Sequence, residues 1–138
     1  MSVYPELPFE FVVIGTPISL QAKRSSIADW KRRVNEYARA ALPAGSWLLD
    51  VPLALTVYIF PASELSGDLD NRLKPILDAM TRCVYEDDEQ IERIVIQKFE
   101  PDNVFAFRSP SGVLARALEA SEPVVYIRLT GDPHEELV

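Results

Sequence analysis

The chain has 138 residues and a formal charge of −7, from 14 Lys and Arg against 21 Asp and Glu, and 48% of its residues are apolar. This length and apolar content fit one globular domain, residues 1–138, and exclude an intrinsically disordered chain. No apolar run reaches the roughly 18 residues that a membrane helix needs, so we expect no membrane partner. The first residues lack the basic and then apolar pattern of a signal peptide, which makes the cytoplasm the expected compartment.

The cysteine, histidine and glycine contents remove several kinds of site. Cys83 is the only cysteine and His134 is the only histidine, so an internal disulfide and a zinc finger are excluded. A Ser-His-Asp arrangement would need a histidine close to the C-terminus, which is a poor place to hold a general base. The five glycines are too dispersed for a phosphate-binding loop, and we expect no organic cofactor. Carboxylates are plentiful, so any catalysis is expected to be carboxylate or carboxylate-metal chemistry.

The first half of the chain predicts two strands and one helix. Residues 9–14 are rich in β-branched and aromatic side chains and predict a strand. Ser26 resembles the N-cap of an amphipathic helix over residues 26–42, whose apolar positions recur at helical spacing until Pro43. Residues 53–60 are almost continuously apolar and predict a strand that is buried on both faces.

A short second helix is predicted from apolar residues at i, i+3, i+4 and i+7, and it is expected to end near Arg82. Pro75 constrains its start, because the proline ring is tolerated best in the first turn of a helix. The regular helix is therefore expected to begin at about Arg72, with Asp70 and Asn71 at or just outside its cap.

The remaining segments complete the predicted fold. Residues 91–99 and 123–130 predict two further strands. Between them, an insert at residues 104–120 holds an aromatic patch and a short helix, and an acidic tail follows Gly131. The order of elements predicts an α+β fold, a single domain with one mixed β-sheet of about four to five strands and helices packed on it. Its core is expected at about residues 9–100.

The most informative stretch is acidic. Residues 64–92 hold nine acidic and three basic residues, a local charge of −6. Asp68 and Asp70 are two residues apart in a segment that enters a helix, so an extended backbone there would point both carboxylates to one side. Oxygen ligands of this kind suit Mg²⁺ or Mn²⁺. Lys74, one turn beyond Asn71, could place an ammonium beside the same site, and together these groups could support phosphoryl transfer.

A purely structural interpretation stands beside this one. Asp favours helix caps and turns, and a run such as Glu86-Asp87-Asp88-Glu89 is typical of a solvated loop before a strand. The co-occurrence of both acidic clusters, with Asn71 and Lys74 at fixed helical offsets between them, favours the functional interpretation.

The run DLDNRLKPILDAM at residues 68–80, followed by YEDDEQI at residues 85–91, resembles the signature of the RusA-like Holliday junction resolvases. These are metal-dependent endonucleases that act on branched DNA as homodimers, so the resemblance implies a RusA-like fold, a homodimer and a four-way junction as substrate. It also implies a catalytic set that consists of Asp68, Asp70, Lys74 and Asp88. Within that set it implies that the metal ligands, for Mg²⁺ or its substitute Mn²⁺, are Asp68, Asp70 and Asp88. Supporting roles are implied for Asn71, Asp78 and Asp87.

Basic residues that could contact DNA phosphates concentrate in residues 21–42, where six basic and two acidic residues give a local charge of +4. The predicted helix offers a basic face there, although an ordinary solvated helix surface explains any single residue equally well. The expected DNA-binding residues are Lys23, Arg24, Lys31, Arg32 and Arg39, with Arg33 flanking the apolar stripe.

Other functions remain possible at this point. The chain could be a non-catalytic nucleic-acid-binding module, or a nuclease that prefers flaps or forks. A phosphatase with an aspartyl nucleophile is disfavoured, because Asp68 lies eight residues after the predicted strand rather than directly behind it.

The predicted helix also sets a geometric condition on the site. A helix over residues 72–82 is about 16 Å long. Asp88 can therefore approach Asp70 only if residues 83–88 run back along that helix. An ordinary parallel crossover would leave Asp88 at the opposite end, and a partner subunit would then have to complete the site.

Overall fold

The strands form one mixed sheet in the order β1-β4-β2-β3. A computed structural model describes residues 3–134, so Glu135 and Glu136 of the predicted acidic tail lie outside the described residues. The elements are β1 (Phe9–Ile14), α1 (Arg24–Ala41), β2 (Leu53–Phe60), α2 (Leu69–Met80), β3 (Ile91–Lys98), α3 (Gly112–Glu119) and β4 (Val124–Thr130). β2 and β3 are parallel, whereas β4 is antiparallel to both of its neighbours. The predicted α+β fold with a mixed sheet is confirmed. Within the described range, no helix is long and apolar enough to cross a membrane.

The larger hydrophobic core lies between the sheet and the helices α1 and α2. Strand side chains alternate between faces, and Leu55, Val57 and Ile59 of β2 point into this core with at most 1% exposure. Trp30 and Val34 of α1 are one helical turn apart and bury the same face of their helix. The core therefore fixes both helices on one side of the sheet.

The opposite face of the sheet carries α3 and an aromatic cluster. Leu114 and Ala117 of α3 pack on Tyr126 of β4. Phe107 packs against Tyr58 of β2 with ring centroids 5.5 Å apart. The aromatic patch of the predicted insert thus covers the second face of β2 only in part. Thr56, Tyr58 and Phe60 on that face are half-buried, so the prediction that this strand is buried on both faces is correct for one face only.

Helix α1 begins two residues earlier than the expected start at Ser26. Its N-cap is Lys23, which has an extended backbone and makes no side-chain cap hydrogen bond. The amide of Ile27 donates to the Lys23 carbonyl at 3.0 Å, which is the first bond of the helix. The expected capping role of Ser26 is therefore wrong, because Ser26 lies inside the first turn of the helix.

Helix α2 begins at Leu69, three residues before the expected start, and Asp68 is its N-cap. Pro75 therefore lies inside the helix, where its ring removes the N–H that would have donated to the Asn71 carbonyl. That carbonyl instead accepts from the amide of Leu20 at 3.0 Å. A partner from outside the helix satisfies the acceptor, and this explains why proline is tolerated beyond the first turn.

The segment β2-α2-β3 is a parallel crossover. Because α2 runs against the strand direction, its start lies near the end of β2 and its end lies near the start of β3. The chain reverses after Thr81 through Arg82, which has a left-handed φ of 64°. The amide of Arg82 donates to the Tyr85 carbonyl at 2.7 Å. Asp88 is thereby placed beside the last turns of α2.

Candidate active site

The first acidic pair lies at the N-terminus of α2. Asp68 and Asp70 are both exposed, and the Asp68 side chain makes no cap hydrogen bond. Asp70 Oδ1 accepts from the backbone amide of Asn71 at 3.0 Å. The positive end of the helix dipole favours negative charge at this position. The pair therefore presents carboxylate oxygens to solvent from the start of a helix.

The segment that precedes Asp68 is held by Arg72. The Arg72 guanidinium donates to the Pro17 carbonyl and to the Ser66 carbonyl at 2.8 Å. Between Ser66 and Asp68, Gly67 adopts a φ of 89°, in the left-handed region that favours glycine. These contacts fix the backbone on both sides of the acidic pair.

A second group of charges lies one to three turns further along α2. Lys74 Nζ is 2.9 Å from Asp78 Oδ1 and 3.2 Å from Asp88 Oδ2. Lys31 Nζ, from α1, is 3.3 Å from the other Asp78 oxygen. Hydrogen bonds to Asp78 and then to Asp88 raise the pKa of Lys74, so its side chain is an ammonium ion at neutral pH.

Asp88 is held by two hydroxyl groups as well as by Lys74. Its Oδ1 lies 2.7 Å from Thr81 Oγ1 and 3.0 Å from the Tyr85 hydroxyl. Burial raises the pKa of Asp88, but the hydrogen bonds from Thr81, Lys74 and Tyr85 together outweigh it and hold the pKa below its ordinary value. Asp88 is therefore a fixed, ionised carboxylate.

Thr81 and Tyr85 were not among the predicted site residues. Tyr85 is the first residue of the YEDDEQI run, and its position three residues before Asp88 is the only sequence signal that points to it. It is fully buried, and burial raises the pKa of its hydroxyl well above the ordinary value. The hydroxyl therefore remains a hydrogen-bond donor toward Asp88.

Asp87 stabilises the turn that contains Asp88. It is the N-cap of a 3-10 turn over Asp88–Gln90, and its side chain accepts from the amide of Glu89 at 3.2 Å. The Gln90 side chain accepts from the Asp87 amide and donates to the Leu49 carbonyl, each at 2.9 Å. The turn that carries Asp88 is thus tied to the segment before β2.

Within one chain, the structure brings Lys74, Asp78 and Asp88 together but leaves Asp70 apart from Asp88. Thr81, which contacts Asp88, lies eleven residues beyond Asp70, or about 16 Å along the helix axis. Over residues 3–134, no three acidic, histidine or cysteine side chains are grouped so that they could hold a metal ion. The predicted ligands Asp68, Asp70 and Asp88 therefore do not form such a group within one described chain. Asp68 and Asp70 lie at the start of α2, whereas Asp88 contacts Thr81 just beyond its end.

The basic residues of α1 differ in how available they are. Lys23 and Arg24 are exposed at its start. Arg32 pairs with Asp29 at 2.9 Å. Arg39 donates to Asn35 at 2.8 Å and Arg33 donates to the Ile14 carbonyl at 3.1 Å, while Lys31 is engaged with Asp78. The basic side chains that are available to a ligand therefore lie mainly at the N-terminal end of the helix.

A family model described as endodeoxyribonuclease RusA matches residues 18–105. This range covers α1, β2, α2, β3 and every candidate site residue, and it is more than half of the chain. The chain belongs to the RusA endodeoxyribonuclease family. Membership implies endodeoxyribonuclease activity on Holliday junctions, and the resemblance seen in residues 68–91 is confirmed. The chain has no match among curated proteins.

Proposed function

We propose that the protein is a Mg²⁺-dependent, structure-specific endodeoxyribonuclease that resolves four-way DNA junctions during recombination and repair. The observation that carries this proposal is the family match over the elements that bear the acidic pair and Lys74. The Lys74 ammonium, held beside Asp88 at 3.2 Å, supports a catalytic interpretation of that match. A binding module would gain affinity by losing the surrounding acidic residues, so their presence disfavours the non-catalytic alternative.

Each site residue has a distinct role in this proposal. Asp68, Asp70 and Asp88 are the candidate ligands of Mg²⁺ or Mn²⁺, which when bound supplies Lewis-acid activation of phosphate and water. Lys74 stabilises negative charge that develops on the phosphate in the transition state. Asp78 holds the Lys74 ammonium together with Asp88.

The proposal includes a homodimer whose subunits complete each other's sites. Within one chain, Asp88 contacts Thr81, which lies about three helical turns beyond Asp70, and no three-carboxylate group forms among the described residues. A two-fold symmetric dimer would place the Asp88 of one subunit beside the Asp70 of its partner, twice. Two such sites suit paired cuts across a junction.

Phosphate contacts in this proposal come from α1 and the residue before it. Lys23 and Arg24 offer exposed charges, whereas Lys31, Arg32 and Arg39 would exchange protein partners for phosphates. The chain's overall charge of −7 makes this local basic surface the part that can attract DNA.

The test of activity uses a labelled four-way junction, a flap and a linear duplex, each with Mg²⁺ or with EDTA. We expect paired nicks that are confined to the junction, require Mg²⁺ and disappear in Asp70→Asn. Glu64→Gln is the matched control, because it removes one exposed carboxylate from the preceding loop and is expected to leave cleavage intact. Binding without cleavage under all conditions would favour the non-catalytic module, and equal cleavage of flaps would favour the alternative substrate.

The test of the shared site mixes two inactive variants, Asp70→Asn and Asp88→Asn. If each site takes Asp70 from one subunit and Asp88 from the other, a mixed dimer contains one native site and nicks one strand. Each variant alone stays inactive. If mixing restores no nicking although the subunits exchange, the two residues act within the same chain.

A further inference from the structure

A cavity of about 280 Å³ lies on the sheet face opposite α1 and α2. Its floor is formed by β1, β2 and β4, and its wall is the segment 107–111 that leads into α3. Most of its lining falls outside the range 18–105 that the family model matches. Its volume is at the small end for ligand pockets, which suits a single ring system better than an extended molecule. The residues that matter here are Glu10, Tyr58, Arg108, Ser111, Tyr126 and Arg128.

The polar side of the cavity is a fixed carboxylate. Glu10 Oε2 accepts from Ser111 Oγ at 2.5 Å and from the Tyr126 hydroxyl. Tyr126 is only 2% exposed. These two hydrogen bonds use about half of the acceptor positions of the carboxylate. An oriented carboxylate can accept from the amino and imino groups on the edge of a nucleobase.

The apolar side of the cavity is aromatic. Tyr58 stacks on Tyr126 with ring centroids 5.7 Å apart and an angle of 25° between the rings. Phe107 lies 5.5 Å from Tyr58. Aromatic surfaces of this kind stack on DNA bases with little regard to sequence.

Arginine supplies positive charge at the same cavity. Arg108 and Arg128 both line it. Arg108 is exposed, and none of the interactions found in residues 3–134 engages it. A guanidinium that has no protein partner beside an aromatic cavity is suited to a phosphate group.

The aromatic cluster extends from this cavity to the end of β2. Phe99 packs against Tyr58 at 5.3 Å and against Phe60 at 5.2 Å. Phe60 is the last residue of β2, from which the loop to Asp68 departs. An apolar surface thus continues from the cavity to the end of β2.

We propose that the cavity binds one unpaired nucleotide of a DNA strand, with its base against Tyr58 and the Glu10 carboxylate and its phosphate on Arg108. The choice of DNA as ligand rests on the proposed function. The binding itself does not require the catalytic residues, so it is measured independently of cleavage.

The test is an NMR titration of the full chain with dGMP, with deoxyribose 5-phosphate, with a ten-nucleotide single strand and with a blunt duplex. We expect dGMP and the single strand to shift the amide signals of residues 107–111 and of the strands beneath them. Deoxyribose 5-phosphate is expected to bind at least about fivefold more weakly than dGMP, since it lacks the stacking ring.

Two variants with the same charge change serve as a matched pair. Arg108→Ala is expected to weaken dGMP and single-strand binding about fivefold to tenfold, whereas Arg116→Ala, an exposed arginine of α3 outside this cavity, is expected to change it less than twofold. Glu10→Gln is expected to reduce the preference for dGMP over deoxyribose 5-phosphate.

Several results would overturn the proposal. These are equal binding of dGMP and the base-free phosphate, equal effects of the two arginine variants, or shifts confined to residues outside the cavity. Binding of dGMP without binding of the single strand would also overturn it. Failure of junction cleavage with normal nucleotide binding would instead contradict the proposed function alone.

Discussion

The ammonium of Lys74 lies 3.2 Å from the carboxylate of Asp88, although fourteen residues separate them in the chain. Lys74 is in the middle of α2, and Asp88 follows the reversal of the chain after that helix. The contact joins α2 to the segment that leads into β3. It also keeps a positive charge beside a carboxylate that Thr81 and Tyr85 orient. The position of the lysine is therefore defined by two carboxylates rather than by its own flexible chain.

Replacing Lys74 with alanine is expected to lower junction cleavage by about a hundredfold, because its charge acts mainly in the transition state. Junction affinity is expected to change less than about threefold. Single-turnover cleavage and equilibrium binding on the same four-way junction measure the two effects separately.

The control is Lys23→Ala, which removes an exposed lysine that has no carboxylate partner among the described residues. It is expected to weaken binding without lowering the single-turnover rate at saturating protein. If Lys74→Ala reduced affinity as much as turnover, Lys74 would be only a phosphate contact.

The substitution Asp78→Asn is expected to move binding and turnover in opposite directions. Asp78 pairs with Lys31 at 3.3 Å and with Lys74 at 2.9 Å. Losing its charge frees Lys31 for phosphates, so junction affinity at low salt should rise about twofold. The freed Lys74 loses its fixed position, so the rate should fall about tenfold. A loss of affinity together with rate, measured in the same two assays, would argue that Asp78 only stabilises the fold.

Replacement of Gly15 tests the backbone next to α1, and Gly112 at the start of α3 provides the control. Gly15 has a φ of 132°, and a Cβ there would lie 2.9 Å from an Arg33 nitrogen and 3.0 Å from the Trp30 ring. Gly15→Ala should therefore lower the free energy of unfolding by about 1–3 kcal/mol. Gly112→Ala meets nothing within 4 Å at the start of α3 and should be neutral or stabilising by up to about 1 kcal/mol. Urea unfolding of both variants measures the change in the free energy of unfolding. Equal changes in the two variants would contradict the expected strain at Gly15.

The thiol of Cys83 is expected to react slowly at pH 8. Burial raises its pKa, while the nearby charge of Arg39 partly offsets the increase. A raised pKa leaves less thiolate at pH 8, so labelling by a disulfide reagent should be at least about tenfold slower than in urea and should accelerate as the pH rises above 9.

Arg39→Ala should slow this labelling further, because it removes the charge that favours the thiolate. Arg32→Ala, on the same helix, should leave the labelling rate unchanged. Fast labelling of the native protein at pH 8 would show that the turn after α2 is open.

The strands were largely predictable from the sequence, because β-branched and aromatic runs bounded by prolines have few alternatives. The start of α2 was not predictable. Pro75 limits where the helix can start only if the Asn71 carbonyl, which loses its donor, finds no other partner. That partner, the amide of Leu20, lies 51 residues earlier and leaves no local signal. The start of α1 was not predictable either, because Lys23 is its N-cap without a side-chain cap hydrogen bond and so leaves no capping signal in the sequence.

The composition of the candidate site was predictable, but its arrangement was not. The spacing of Asp68, Asp70 and Lys74 follows from one helix. The place of Asp88 depends on a parallel crossover, and its two hydroxyl partners, Thr81 and Tyr85, come from a reversal that includes the left-handed Arg82. Whether a second subunit brings these groups together depends on contacts that the sequence of one chain does not encode locally.

The proline within α2 has a consequence for how the protein could respond to DNA. Because Pro75 leaves the Asn71 carbonyl to Leu20, one hydrogen bond links the segment that enters the basic helix with the backbone next to Asp70. A phosphate bound at Lys23 or Arg24 would act on that backbone through this hydrogen bond, in addition to the contact of Arg72 with the Pro17 carbonyl. Pro75→Ala would restore an N–H that competes for this oxygen, and faster hydrogen exchange at the Leu20 amide would report the loss. A change that improves the helix by itself would thus remove one of the two contacts that join the segment before the basic helix to the acidic site.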